Sequence, residues 1–263
     1  MILQKDIHGP IAVIGDVHGH AEKLQHVLKE LSSLSDYQSR WIVFIGDLVD
    51  RGPDSRGVID CALALLKSHP KTTITCGNHE LAMAGALNLF DNDEQHQWSD
   101  RWLDHYGSAP TFESYGVEPG DLLDLLEVIP RSHLELLKSV PWCVEHPDYF
   151  FVHSGLNPKL PFAEQRMILR TRDEANRRPE WLCSKTLPFH SPPQDCSKIV
   201  VSGHAFIPQV TFARKRILID TTGGNTGSLS CVLLPENEVI HSDEVLSKPP
   251  RFAPEADIAD LML

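Results

Sequence analysis

The chain has 263 residues, 41% of them hydrophobic, which is enough to bury a full core in one large α/β domain. With 36 acidic against 24 basic residues the net charge is −12, which disfavours a nucleic-acid backbone or an anionic membrane surface as partner. No apolar stretch approaches the roughly 18 residues of a spanning helix, and Met1-Ile2-Leu3-Gln4-Lys5-Asp6 lacks a signal-peptide core, so a cytoplasmic location is expected.

In chain order, the first predicted strand is Ile11-Ala12-Val13-Ile14, stopped by Gly15. A helix follows, with Ala21, Leu24, Val27, Leu28, Leu31 and Leu34 at helical spacing and His20 at its start as a cap. A second strand over Trp41–Ile45, a helix through Val58, Ile59, Ala62, Leu63 and Leu66, and a third strand over Thr72–Cys76 complete a β-α-β-α-β array. Residues 80–140 read as a mostly helical insertion, with Leu122, Leu123, Leu125, Leu126, Leu134, Leu137 and Val140 as its apolar positions. Further strands are expected at 149–153, 198–202, 216–220 and 228–234, the last two joined by the glycine-rich turn Gly223-Gly224-Asn225-Thr226-Gly227, with a tail over about 242–263. The expectation is a single domain of two facing mixed β-sheets flanked by helices.

Short runs buried on both faces and ended by glycine are what parallel strands require, and the loops after such strands emerge side by side at one edge. Asp16, Asp47 and Asn78 occupy those loops at intervals of 31 residues. Asp16 and His18, two apart in an extended segment, can hold one cation together. Asp47 has two carboxylate oxygens and can bridge that cation to a second one, for which Asn78, His153 and His204 supply the remaining oxygen and nitrogen donors. Such a mixed set without thiolate suits manganese, iron or zinc. Two divalent ions about 3.5–4 Å apart clamp a phosphoryl group and make hydroxide available near neutral pH, so no enzyme nucleophile is needed. Expelling an alkoxide also needs a proton donor. His79 adjoins Asn78 and fits that role, with Asp50 to orient it and stabilise its imidazolium. Arg51 can grip two phosphate oxygens with its planar fork.

The blocks Gly15-Asp16-Val17-His18-Gly19, Gly46-Asp47-Leu48-Val49-Asp50-Arg51-Gly52 and Gly77-Asn78-His79-Glu80 resemble the signature of the phosphoprotein phosphatase family of calcineurin-like metallophosphoesterases, in its bacterial and phage branch. His153-Ser154-Gly155 and Gly203-His204 resemble the family's two later histidine blocks, so the likeness runs from about residue 11 to about 235. The resemblance implies a calcineurin-like α/β fold, two divalent metal ions, and a phosphorylated protein or peptide as substrate, on serine or threonine with phosphotyrosine as an extension. It also maps a second phosphate-binding arginine to Arg172, within Ile168-Leu169-Arg170-Thr171-Arg172-Asp173-Glu174, where Arg170 replaces the family's tryptophan. Ala205-Phe206 and Asp220-Thr221-Thr222-Gly223-Gly224 also depart from the pattern, without touching a metal ligand.

Two other functions fit parts of this pattern. Symmetrical bis(5'-nucleosyl)-tetraphosphate hydrolases share the metal site but carry Ala-Arg-Gly and Gly-Asn-His-Asp where this chain has Asp50 and Glu80. A phosphate-binding scaffold would lack a ligand, and none is lacking. The six cysteines form no CxxC pair and are expected as free thiols. Asp91-Asn92-Asp93-Glu94 lacks EF-hand spacing and reads as a solvated loop. Five arginines at 166, 170, 172, 177 and 178 make a local positive field, with Arg166, Arg177 and Arg178 assigned to a solvated helical face.

Overall fold

A computed structural model describes residues 3–90, 95–172 and 178–247. The Asp91–Glu94 run, Asp173, Glu174 and Arg177, and the tail from 248 lie outside the described residues. The strands are β1 (Ile11–Ile14), β2 (Trp41–Phe44), β3 (Thr72–Ile74), β4 (Cys143–Glu145), β5 (Tyr149–Val152), β6 (Ile199–Ser202), β7 (Thr211–Ala213), β8 (Arg216–Leu218), β9 (Ser230–Leu234), β10 (Glu238–His241) and β11 (Glu244–Ser247). The helices are α1 (Ala21–Ser32), α2 (Ser55–Ser68), α3 (Asn78–Ala86), α4 (Gln95–His105), α5 (Ala109–Ser114), α6 (Leu122–Val128), α7 (Arg131–Ser139), α8 (Phe162–Thr171) and α9 (Glu180–Cys183).

The strands form a six-stranded sheet, β11-β10-β9-β1-β2-β3, and a five-stranded sheet, β4-β5-β6-β8-β7. β1, β2 and β3 are mutually parallel, as are β5, β6 and β8, while the flanking strands run antiparallel. Side chains alternate across each strand and so sort into two cores. Ile11, Val13, Val43, Phe151, Val201, Ile217 and Val232 fill the space between the sheets. Ala12, Ile14, Ile42 and Phe44 point the other way, into the helices, against Leu24, Val27, Val58 and Ile59. That two-sided burial explains why these strands read as continuous apolar runs.

Four strands were not expected. β4 and β7 have three residues each, and β7 is a half-buried edge. β10 and β11 pair antiparallel, so the segment expected as tail begins as a strand through Ser247. The insertion is helical, although Leu123 is exposed. His20 sits at the N-cap position of α1 with no side-chain capping bond, its carbonyl taking the Leu24 N–H instead. All six cysteines are free.

Within the insertion, α3 and α4 cross at Gly85, where a Cβ would fall 2.4 Å from Trp98 Cγ. Gly85→Ala is therefore expected to overpack the crossing and cost about 1–3 kcal/mol, read as a lower denaturant midpoint. An unchanged midpoint would show that the two helices separate freely.

Candidate metal centre

Each strand of the two parallel trios, β1-β2-β3 and β5-β6-β8, delivers one polar side chain just past its C-terminal end: Asp16, Asp47 and Asn78 from the larger sheet, and His153, His204 and Asp220 from the smaller. The loops are tied to one another by the backbone. Val17 and His18 donate their N–H groups to Asp47 O at 3.0 and 2.8 Å. Glu80, buried on α3, accepts from the N–H groups of Gly77 (2.8 Å), Asp47 (2.8 Å) and Leu48 (2.6 Å), clamping the loop after β2 to the start of α3. Gly77 is required at this crossing, since a Cβ there would lie 2.1 Å from Asp47 Oδ1. His18, Asp47, Asp50, Arg51 and His204 all have positive φ, between 45° and 71°, so the site is built on backbone that side-chain-bearing residues seldom adopt.

Asp47 is the common neighbour. Its Oδ2 lies 3.1 Å from His153 Nε2, 3.6 Å from His18 Nε2 and 3.8 Å from His79 Nε2. Two donor groups, His18-Asp47-His79 and Asp47-His153-His204, could each hold a metal ion, and both include Asp47. Asn78 is hydrogen-bonded to Tyr106, and its Oδ1 lies 3.1 Å from His153 Nε2. His18 and His153 turn Nε2 inward because their Nδ1 atoms bond the carbonyls of Val49 (3.1 Å) and Ile45 (2.9 Å). Asp16 falls outside both groups. It lies against the Gly203-His204 turn, with Oδ2 accepting the His204 N–H at 2.8 Å.

The electrostatics fit divalent cations. Asp16 Oδ1 and His204 Nε2 are buried without a hydrogen-bond partner. Burial, with neighbouring Asp220, raises the Asp16 carboxyl well above its ordinary range, and burial raises Asp220 as well. Burial pushes the Asp47 carboxyl up too, but the imidazoles of His153 and His79 outweigh it and hold it well below the usual range. Burial takes His204 down to about 3 and His18 well below normal, leaving both neutral, with His204 Nε2 unpartnered and His18 Nε2 facing the Arg51 guanidinium. Burial also lowers His153, which Asp47 more than reverses, so this imidazole carries a proton that a metal ion would displace. With Asp16 and Asp220 pushed toward the neutral acid and His153 holding a proton, the centre carries protons where bound metal ions would supply the positive charge.

Beside the centre, His79 Nδ1 lies 2.8 Å from Asp50 Oδ2. Asp50 is fully buried and is fixed by two residues of the insertion, Trp102 Nε1 (2.9 Å) and Thr111 Oγ1 (2.7 Å). The His79 ring stands edge-on to Tyr106, with centroids 4.8 Å apart. Trp102, Thr111, Tyr106 and Asp220 are site residues that the motif reading did not assign. Trp102 on α4, Tyr106 just after it and Thr111 on α5 were visible in the sequence, but not what they would meet.

Asn78, His79, Tyr106 and His204 line a cavity of about 430 Å³, together with Arg51, Arg101, His105, Arg178, Cys183 and Lys185. Arg51 reaches it from the loop after β2, with Nη1 3.1 Å from His18 Nε2 and 3.4 Å from Gly223 O. Arg172 is not among the lining residues. α8 ends at Thr171, and Arg172 takes a left-handed turn with Nη1 donating to Lys138 O at 2.6 Å. Arg170 is held away by Asp6 and Glu145. Arg178, expected on a solvated face, forms part of the cavity wall.

The sequence matches the calcineurin-like phosphoesterase family over residues 9–224. The chain belongs to that family. It is 25% identical over 169 residues to the symmetrical bis(5'-nucleosyl)-tetraphosphatase of Vibrio cholerae, covering 64% of this chain but only 53% of that protein. It is 25% identical over 225 residues to serine/threonine-protein phosphatase 2 of Escherichia coli, covering 84% of this chain and 90% of that one. The crystal structure of a putative diadenosine tetraphosphatase shares the fold, with a TM-score of 0.60 and 20% identity over 94% of this chain and 99% of that one. Both mixed sheets and their helices are those of the calcineurin-like fold.

Because Asp47 faces both donor groups, Asp47→Asn is expected to remove metal more completely than loss of any other single ligand. Elemental analysis after loading with manganese should find about two ions per chain in the wild type and few in the variant. Retention of both ions by Asp47→Asn would show that it does not bridge.

Proposed function

We propose that this chain is a dinuclear-metal phosphomonoesterase that acts on phosphoserine and phosphothreonine in proteins, with phosphotyrosine as a further substrate. The observation that carries this reading is the braced His79–Asp50 pair. A serine or threonine alkoxide is about as poor a leaving group as hydroxide, the conjugate base of an acid with pKa near 16, and it must be protonated as the P–O bond breaks. A nucleoside phosphate leaving group needs no such help, since its own pKa is about 6. An aspartate with three side-chain donors aimed at it, one of them His79, supports chemistry that depends on a proton at His79 Nε2.

Two bound divalent ions would supply a Lewis-acidic clamp on the phosphoryl oxygens and hydroxide at neutral pH. Asp16, His18, Asp47, Asn78, His153 and His204 would hold them, with nitrogen and oxygen donors that suit manganese, iron or zinc. His79, although within reach of His18 and Asp47, is assigned to the proton because Asp50 holds its Nδ1. Arg51 steadies the phosphoryl oxygens from the open side. Asp50 keeps the Nδ1 proton of His79, so that Nε2 is the nitrogen that gives up a proton to the departing oxygen. Tyr106 holds the ring edge-on and shields it.

A second reading, hydrolysis of a symmetrical dinucleoside tetraphosphate, is favoured by the cations of the cavity and by the Vibrio cholerae relative. Asp50 weighs against it, because tetraphosphate chemistry has no use for the His79–Asp50 dyad, and Glu80 stands where the tetraphosphate hydrolases carry aspartate. Parallel assays in manganese buffer separate the two. The proposal expects kcat/KM at least tenfold higher for phosphoserine peptides than for the tetraphosphate, and the reverse order would overturn it.

His79→Asn should keep the metal content of the wild type but slow alkyl phosphates by about 10²–10⁴-fold in kcat. Aryl phosphates should lose less, because a phenolate of pKa near 10 leaves more readily. Equal losses on both substrate types would remove His79 from the role of general acid.

A further inference from the structure

Arg101 comes from α4, and Arg178 and Lys185 come from either side of α9, yet all three line the cavity that opens on His79. The residues lining that cavity include no carboxylate. Elsewhere the chain pairs its arginines: Arg40 with Asp36 and Glu236, Arg166 with Glu145, Arg170 with Asp6, and Arg131 with Glu135. With 36 acidic residues against 24 basic ones, carboxylate partners are plentiful. Among the described residues, however, Arg101, Arg178 and Lys185 have no carboxylate partner. Arg101 instead lies 5.8 Å over the Trp98 ring, and Arg178 is hydrogen-bonded to the Cys183 thiol.

The reacting phosphoryl group does not account for these three cations. Its oxygens are already served by Arg51 and the metal ligands, and a cavity of about 430 Å³ is far larger than one phosphoryl group. Three cations that line one cavity without a carboxylate partner among the described residues select a second negative charge carried by the same substrate. We propose that Arg101, Arg178 and Lys185 form an anion subsite beside the metal centre, which receives an acidic group flanking the scissile phosphoester. The substrate class is then a phosphopeptide with aspartate, glutamate or a second phosphoresidue next to the phosphorylated position. This rests on the phosphoprotein reading above.

The test uses full-length, manganese-loaded protein and three phosphoserine peptides that differ only in their flanks: glutamate, alanine or lysine. The wild type should prefer the glutamate flanks over the lysine flanks by about 10–50-fold in kcat/KM at low ionic strength. The difference should lie mainly in KM and shrink as salt screens the wall. The double variant Arg101→Glu/Lys185→Glu should invert the order, a gain that misfolding cannot produce. If the double variant does not fold, Arg101→Gln and Lys185→Gln, with metal content and melting temperature as controls, should each narrow the wild-type ratio. Equal rates on all three peptides, or an order unchanged by charge reversal, would overturn the subsite while leaving the phosphatase reading intact. Hydrolysis of dinucleoside tetraphosphate with no turnover of any phosphopeptide would overturn both.

Discussion

The site depends on how one buried carboxylate is held. Asp47 Oδ1 accepts the His79 N–H at 3.1 Å, its Oδ2 faces three imidazoles, its carbonyl takes two N–H groups from the loop after β1, and its own N–H is taken by Glu80. Three strand ends and one helix start are thereby fixed to a single residue. A charge buried this deeply is tolerated only when every lone pair and its net charge are answered. The histidines of the second sheet answer from across the interface, so the packing of the two sheets and the assembly of the donor set are one event.

The helical insertion builds the candidate site as much as the fold. Trp102 and Thr111 come from α4 and α5, and both terminate on Asp50, which in turn holds His79. Without them Asp50 would lack two of its side-chain donors and be free to rotate, and His79 could choose either tautomer. The same insertion supplies Tyr106 against the ring and Arg101 in the cavity wall. One excursion between β3 and β4 thus provides the brace of the His79–Asp50 pair and part of the cavity wall.

The strand-loop units were legible because two-sided burial forces apolar runs and close loop crossings force glycine. Asp16, Asp47 and Asn78 could be placed from those local signals. The partnership of Trp102 with Asp50 spans 52 residues of sequence and leaves no periodic trace. β10 and β11 escaped because nothing in their composition marks where the final hairpin turns back on β9. The arginine near α8 shows a different limit. Whether Arg172 or Arg178 faces the cavity depends on where a helix ends and how its cap turns, and a left-handed Arg172 sends its side chain to Lys138. Motif spacing carries no information about that turn.

Positive φ at His18, Asp47, Asp50, Arg51 and His204 has a consequence for how the protein tolerates change. Glycine would occupy each of these positions with less backbone strain, and a non-glycine residue there costs on the order of 1 kcal/mol or more. Folding alone would therefore favour replacing several of the residues to which the proposed chemistry is assigned. A library of variants selected only for heat resistance should enrich glycine at these positions and, in the same clones, lose turnover. In this fold, thermal robustness and activity are under opposed selection at the same five backbone positions.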